Sequence, residues 1–149
     1  MGTEEAYFGA GCFWHVQKEF DNLPVKTLVG YMGGKENKYP SPDYEQICNK
    51  NTGYIETVKV IFNPREVSYK EILNKFWRTH DPTSKDRQGQ DIGHQYRSVI
   101  FYTSKEQKEK AEKSKNKREE EINHPIVTEI REAKTFFKAK DYHQKYYKK

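Results

Sequence analysis

Cys12 stands in the run Gly9-Ala10-Gly11-Cys12-Phe13-Trp14, where a short strand-like stretch meets a glycine turn and a helical pattern begins. A thiol at the first turn of a helix faces unpaired N–H groups and the positive end of the helix dipole. Both favour the thiolate, the nucleophilic form, over a free thiol with its pKa of about 8.5. Glycines before it leave the backbone open to a substrate, and such a turn is better ground for binding an anion than for packing. A free cysteine is more often a small buried hydrophobe; the Gly-Ala-Gly setting is what points to a reagent. Phe13 and Trp14 are neighbours on a helix and cannot share one face, so at least one ring is expected near the surface beside the thiol. Together they would form an apolar wall for a small methyl-bearing group.

Other chemistries compete for the same thiol. His80 or His94 is a candidate base for a cysteine hydrolase. Cys12, Cys48, His80 and His94 are candidate zinc ligands, but no short paired ligand spacing supports a metal site. With only two cysteines in 149 residues, a disulfide scaffold is excluded and a reducing, cytoplasmic setting is expected. The net charge of +5 raises a nucleic-acid reading, in which strand aromatics stack on RNA bases. From Lys105 to Glu121, however, the cations interleave with six glutamates and read as a solvated helix laced with ion pairs. The strand faces read as apolar alternation, and no RNA-binding signature occurs, so no nucleic-acid partner is expected. No apolar run approaches the roughly 18 residues of a membrane span, so no membrane association is expected.

Elements follow from the periodicity. Glu5–Phe8 reads as a strand, and Phe13, Val16, Phe20 and Leu23 recur at helical spacing until Pro24. Thr27–Tyr31 and Glu56–Phe62 are strands, with a long polar loop between them. Ser68 and Glu71 form a capping box ahead of the stripe Tyr69, Ile72, Leu73, Phe76 and Trp77. A second polar loop covers Thr79–Gln95. Then come a strand at Arg97–Thr103, a long helix capped by Ser104, a strand at Ile126–Ile130 and a final helix bearing Tyr142 and Tyr146. The first six elements match a split βαβ, giving an α+β two-layer sandwich with a ferredoxin-like core of mixed sheet in one domain, 1–149. With 11 Tyr, 8 Phe and 2 Trp, aromatics supply a core despite the hydrophilic average.

Gly11-Cys12-Phe13-Trp14 resembles the signature of the A-type methionine sulfoxide reductases, and the match continues in order along the chain. Gly30-Tyr31-Met32-Gly33-Gly34, Tyr44-Glu45-Gln46-Ile47-Cys48 and Thr52-Gly53-Tyr54-Ile55-Glu56 are similar to its next blocks. Phe76-Trp77, His80-Asp81-Pro82, Arg87-Gln88-Gly89, Asp91, Gly93 and Gln95-Tyr96-Arg97-Ser98 complete it. The resemblance implies that Cys12 attacks the sulfur of methionine sulfoxide, in its S epimer, and becomes a sulfenic acid. It implies that Glu56 protonates the sulfoxide oxygen, which requires burial to lift its pKa from about 4.3 towards neutrality. Tyr44 and Tyr96 would hydrogen-bond that oxygen, Phe13 and Trp14 would receive the methyl group, and Asp91 would position the substrate.

The chain departs from that family at His15 and Gln17, where Gly and Glu are more usual. Tyr54 and Ile55 replace His and Ala, and His94 replaces a small hydroxyl residue. Many members carry resolving cysteines in a glycine-rich C-terminal tail, whereas no cysteine follows Cys48 in this sequence. The expectation is therefore a monomer with no bound cofactor, acting on oxidised proteins or peptides. Its Cys12 would be regenerated by an external thiol such as thioredoxin, a glutaredoxin-like protein or dithiothreitol, with Cys48 as the alternative resolver.

Overall fold

Val58, Val60 and Phe62 alternate along one strand and bury their side chains on the same face. The computed structural model describes residues 2–149 and places that strand inside a six-stranded sheet. In chain order the elements are β1 (Glu4–Ala10), α1 (Phe13–Phe20), β2 (Lys26–Met32), α2 (Tyr44–Asn49), β3 (Ile55–Phe62) and α3 (Tyr69–Arg78). There follow the short strands β4 (Arg87–Gln88) and β5 (Asp91–Ile92), then β6 (Ser98–Tyr102), α4 (Lys105–Ile122), β7 (Glu129–Glu132) and β8 (Phe137–Lys138).

The sheet runs β7-β6-β1-β3-β2-β8, and β4 pairs with β5 in a separate hairpin. Its four central strands are mutually antiparallel in the order of a split βαβ. β7 joins parallel to β6 and β8 antiparallel to β2, which makes the sheet mixed. The expected α+β two-layer architecture is what forms.

On one face, Phe8 stacks at 5.3 Å on Phe20 of α1 and meets Phe76 of α3 at 5.1 Å between ring centroids. This is the main core. On the other face Tyr7, Met32, Ile55, Val99 and Phe101 form a smaller cluster, roofed by Ala133 and Phe136. The Ser68 capping box forms as the sequence predicts, with Ser68 accepting from Glu71 N–H and Glu71 from Ser68 N–H. Ser104 likewise accepts from Gln107 N–H and starts α4. The ion pairing expected at i, i+3 and i, i+4 spacing along α4 is seen in Lys110–Glu106 and Arg118–Glu121.

Three expectations need correction. The first polar loop contains α2, started by a second capping box between Asp43 and Gln46. The strand expected at Ile126–Ile130 lies later, at Glu129–Glu132, because Ile126 is fastened to α4 through its N–H and Glu119 Oε2 at 2.8 Å. The final helix is absent: Asp141–His143 and Tyr146–Lys148 are single 3₁₀ turns separated by Lys145 at φ 53. There Lys145 N–H donates to Gln17 Oε1 at 2.8 Å, and its ammonium reaches Asp21 Oδ2 and Thr27 Oγ1 at 2.7 Å each. These tertiary bonds outweigh continuation of a helix.

Candidate active site

β1 ends against α1 through Gly11, whose φ of 98 an L side chain rarely adopts. A side chain there would also strike Gln88 of β4. Glycine thus lets the chain turn sharply and lets the β4–β5 hairpin, with Asp91, close over the start of the helix. Cys12 is the N-cap residue, half-buried. The N–H groups of Trp14 and His15 pull the pKa of its thiol down, although its side chain makes no capping hydrogen bond to the helix.

The next N–H of the same helix end belongs to Glu56, whose Oε1 accepts from Phe13 N at 3.1 Å. Glu56 lies opposite Tyr31 in the β2–β3 ladder and is 1 % exposed. Its Oε2 finds no hydrogen-bond partner among the described residues. Burial pushes its pKa up to about 8, against the Phe13 N–H and with help from the Asp91 charge. A carboxyl in this position holds its proton at neutral pH and has one oxygen free to donate it.

That burial also corrects the expectation for the thiol. Cys12 is pushed up to about 11, first by burial and then by the Glu56 charge, both stronger here than the helix N–H groups. The helix end favours anions as the sequence suggests, but two acids share it, and a charge on one penalises a charge on the other.

An aromatic shell surrounds the pair. Phe13 turns inward, 1 % exposed, and sits 5.6 Å from Tyr31. Trp14 remains partly exposed and lies 6.4 Å from Tyr44, nearly parallel. The phenols of Tyr44 and Tyr96 are both raised, chiefly by burial and next by Glu56. At Tyr96 the charges of Asp91, Cys48 and Cys12 add to that rise. All seven residues singled out from the sequence therefore gather at one end of the sheet.

His143 was not among the residues picked out from the sequence, yet this 2 % exposed imidazole lies 4.7 Å from Tyr44, 5.5 Å from Phe13 and 5.7 Å from Trp14. Tyr146 stacks on Trp14 at 3.9 Å. The only available signal was the pair Tyr142 and Tyr146, which instead reads as the face of a helix.

The competing histidines are occupied elsewhere. His80 meets Ser98 Oγ through Nε2 at 2.6 Å and Phe76 O through Nδ1 at 3.0 Å. Its enclosed ring is pushed down to about 4 by burial. His94 Nε2 accepts from Gly53 N–H at 3.3 Å. No three His, Cys, Asp or Glu side chains cluster to hold a metal among the described residues. Two of the departures from the family pattern, Gln17 and Tyr54, have structural roles. Gln17 donates to Thr27 O and Oγ1 while accepting from Lys145 N–H, a double role no carboxylate could play. The Tyr54 hydroxyl donates to Tyr39 O at 2.7 Å, and its ring fills the space that a side chain on Gly34 would need.

A thiol and a proton-bearing carboxyl at one helix terminus, walled by aromatics, define a cysteine-based redox or transfer enzyme. Residues 4–149 match the family model described as peptide methionine sulfoxide reductase, and the chain belongs to that family. It is 51 % identical over 152 residues to the peptide methionine sulfoxide reductase MsrA of Methanosarcina mazei, spanning 99 % of this chain and 71 % of the relative. The MsrA of Geobacter sulfurreducens is 52 % identical, with 98 % and 91 % covered. Among solved structures, reduced Mxr1 of Saccharomyces cerevisiae superposes with a TM-score of 0.94 at 32 % identity, covering 99 % of this chain and 85 % of that one. Methionine sulfoxide reductase A of Corynebacterium diphtheriae gives 0.83 at 34 %, covering 97 % and 74 %.

Proposed function

We propose that residues 1–149 act as one catalytic domain that reduces the S epimer of methionine sulfoxide, free or within proteins, to methionine. Cys12 is the nucleophile and Glu56 the acid. Glu56 gives its proton to the sulfoxide oxygen while the Cys12 sulfur attacks the sulfoxide sulfur. The sulfur–oxygen bond breaks as oxygen passes to Cys12, methionine departs, and the thiol's own proton restores Glu56. The products are methionine and Cys12 sulfenic acid, so atoms and electrons balance. Tyr44 and Tyr96 donate to the oxygen, Phe13 and Trp14 hold the methyl group, and Asp91 orients the substrate.

The observation that supports this most is Glu56. A buried carboxyl with a pKa of about 8 and an unpartnered oxygen suits protonation of a poor leaving oxygen. The same group would only impede a hydrolase, which needs a base beside the thiol. Consumption of methionine S-sulfoxide with dithiothreitol, compared among wild type, Cys12→Ser and Glu56→Gln, tests the reading. Activity surviving Cys12→Ser would overturn it.

Regeneration uses an external thiol of the thioredoxin or glutaredoxin type. One thiol displaces water from the sulfenic acid to form a mixed disulfide, and a second releases Cys12. A redox cycle of this kind fits the yeast relative, which has been solved in reduced and in oxidised forms. Cys48 lies on the last turn of α2 and is exposed. Mass spectrometry after a single turnover separates the two routes, because a Cys12–Cys48 disulfide would assign the resolving role to Cys48. No helix is long and apolar enough to cross a membrane among the described residues, and the protein is taken to work as a cytoplasmic monomer.

A further inference from the structure

Three of the side chains proposed to bind the sulfoxide, Phe13, Trp14 and Tyr44, meet on one imidazole, that of His143. The indole Nε1–H of Trp14 donates to His143 Nδ1 at 3.2 Å. An indole nitrogen only donates, so Nδ1 is the acceptor and the neutral ring carries its proton on Nε2. The ring has little freedom to leave. His143 N–H closes its turn onto Lys140 O at 2.9 Å. Next to it, the Gln144 side chain accepts from Val29 N–H and donates to Val29 O, both at 2.9 Å, and donates to Ala139 O at 3.0 Å. Tyr147 donates to Asp21 Oδ2. A segment remote in sequence is thus bolted to α1 and β2 on both sides of the imidazole.

A partly exposed tryptophan held only by stacking could slide over its neighbours at little cost. One directed bond fixes its rotation, and with it the face turned to the thiol. We propose that His143 is a positioning residue for sulfoxide reduction: through Nδ1 it orients the Trp14 indole, so that Trp14 completes the methyl-binding wall with Phe13 and Tyr44. This rests on the assignment of that wall above. The effect belongs to substrate binding, since the ring's one hydrogen bond goes to the Trp14 indole and its Nε2 is buried without a partner among the described residues.

The test uses two replacements that differ in the acceptor. His143→Phe keeps a ring and removes the acceptor, while His143→Asn puts an amide oxygen near the place of Nδ1. The two tryptophans, Trp14 and Trp77, give two indole signals in a ¹H–¹⁵N spectrum, and a Trp77→Phe variant assigns them. Trp77 donates to Ser114 Oγ instead and serves as an internal control. In His143→Phe the Trp14 signal should move and that of Trp77 stay. KM for methionine S-sulfoxide should rise roughly three- to tenfold, the worth of one hydrogen bond, with kcat within about twofold. His143→Asn should restore both readings. An unmoved Trp14 signal, a loss in kcat at constant KM, or an Asn variant no better than Phe would overturn the proposal. Should the Phe variant not fold, His143→Gln replaces it, since its longer amide reaches the Nε2 side and should not rescue KM. A wild-type protein inert towards the sulfoxide would instead refute the functional reading, and that result is obtained without any variant.

Discussion

Cys12 and Glu56 draw on adjacent N–H groups of one helix end, and this sharing sets the chemistry of each. The types and order of the residues made both recognisable in the sequence. Their proton affinities were not, because desolvation depends on what β3, α1 and the β4–β5 hairpin enclose together. Burial is the first cause of the thiol's pKa of about 11, and the Glu56 charge the second. Glu56→Gln therefore moves two measurements in opposite directions. Alkylation of Cys12 by iodoacetamide should reach half its maximal rate at lower pH than in wild type, because the repelling charge is gone. Sulfoxide reduction should fall by roughly 10²–10⁴-fold, the usual worth of a general acid. If alkylation and reduction fell together, Glu56 would be acting as a scaffold and not as an acid.

Elements with a local signal were legible, and those specified by distant contacts were not. Ser68 and Glu71 bracket a strong apolar stripe, so α3 could be read directly. α2 has a capping box of equal quality in Asp43 and Gln46, but only Ile47 among its residues is buried, so no stripe announced it. Past Ala139, the backbone obeys side chains contributed by α1 and β2, which no window of neighbouring residues contains. The loop after β2 depends on close approach of this kind. Gly34 packs flat against the Tyr54 ring, which is fully buried and cannot swing aside. Gly34→Ala should cost about 1–3 kcal/mol in urea unfolding. Tyr54→Ala in the same chain should recover part of that loss, a non-additivity that a double-mutant cycle would detect.

For the molecule as a whole, two buried titrating groups frame the pH range of stability. The Glu56 pKa rises on folding from about 4.5 to about 8, so its neutral form stabilises fully below the lower value and the benefit is lost as pH climbs through the upper one. The His80 pKa falls from 6.5 to about 4, so its contribution is present above 6.5 and disappears as pH drops through 4. Unfolding free energy should therefore be highest between about pH 4.5 and 6.5, where the two slopes cancel, falling by about 2 kcal/mol above that window and by less than about 1 kcal/mol below it. In Glu56→Gln the alkaline decline should flatten while the acid one persists; a parallel decline in both proteins would remove Glu56 as its cause. The sheet order itself was legible through its central split βαβ, whereas the outer strands were misplaced or missed because they are short and irregular. Those outer strands have a bearing on the company this enzyme keeps. Chains carrying oxidised methionine are often partly unfolded and offer backbone to any sheet willing to extend. β8 has two residues, and three of the four in β7 are charged. Such short and charged borders blunt the addition of an incoming strand, so the sheet edges disfavour annealing of an unfolded substrate chain onto the protein.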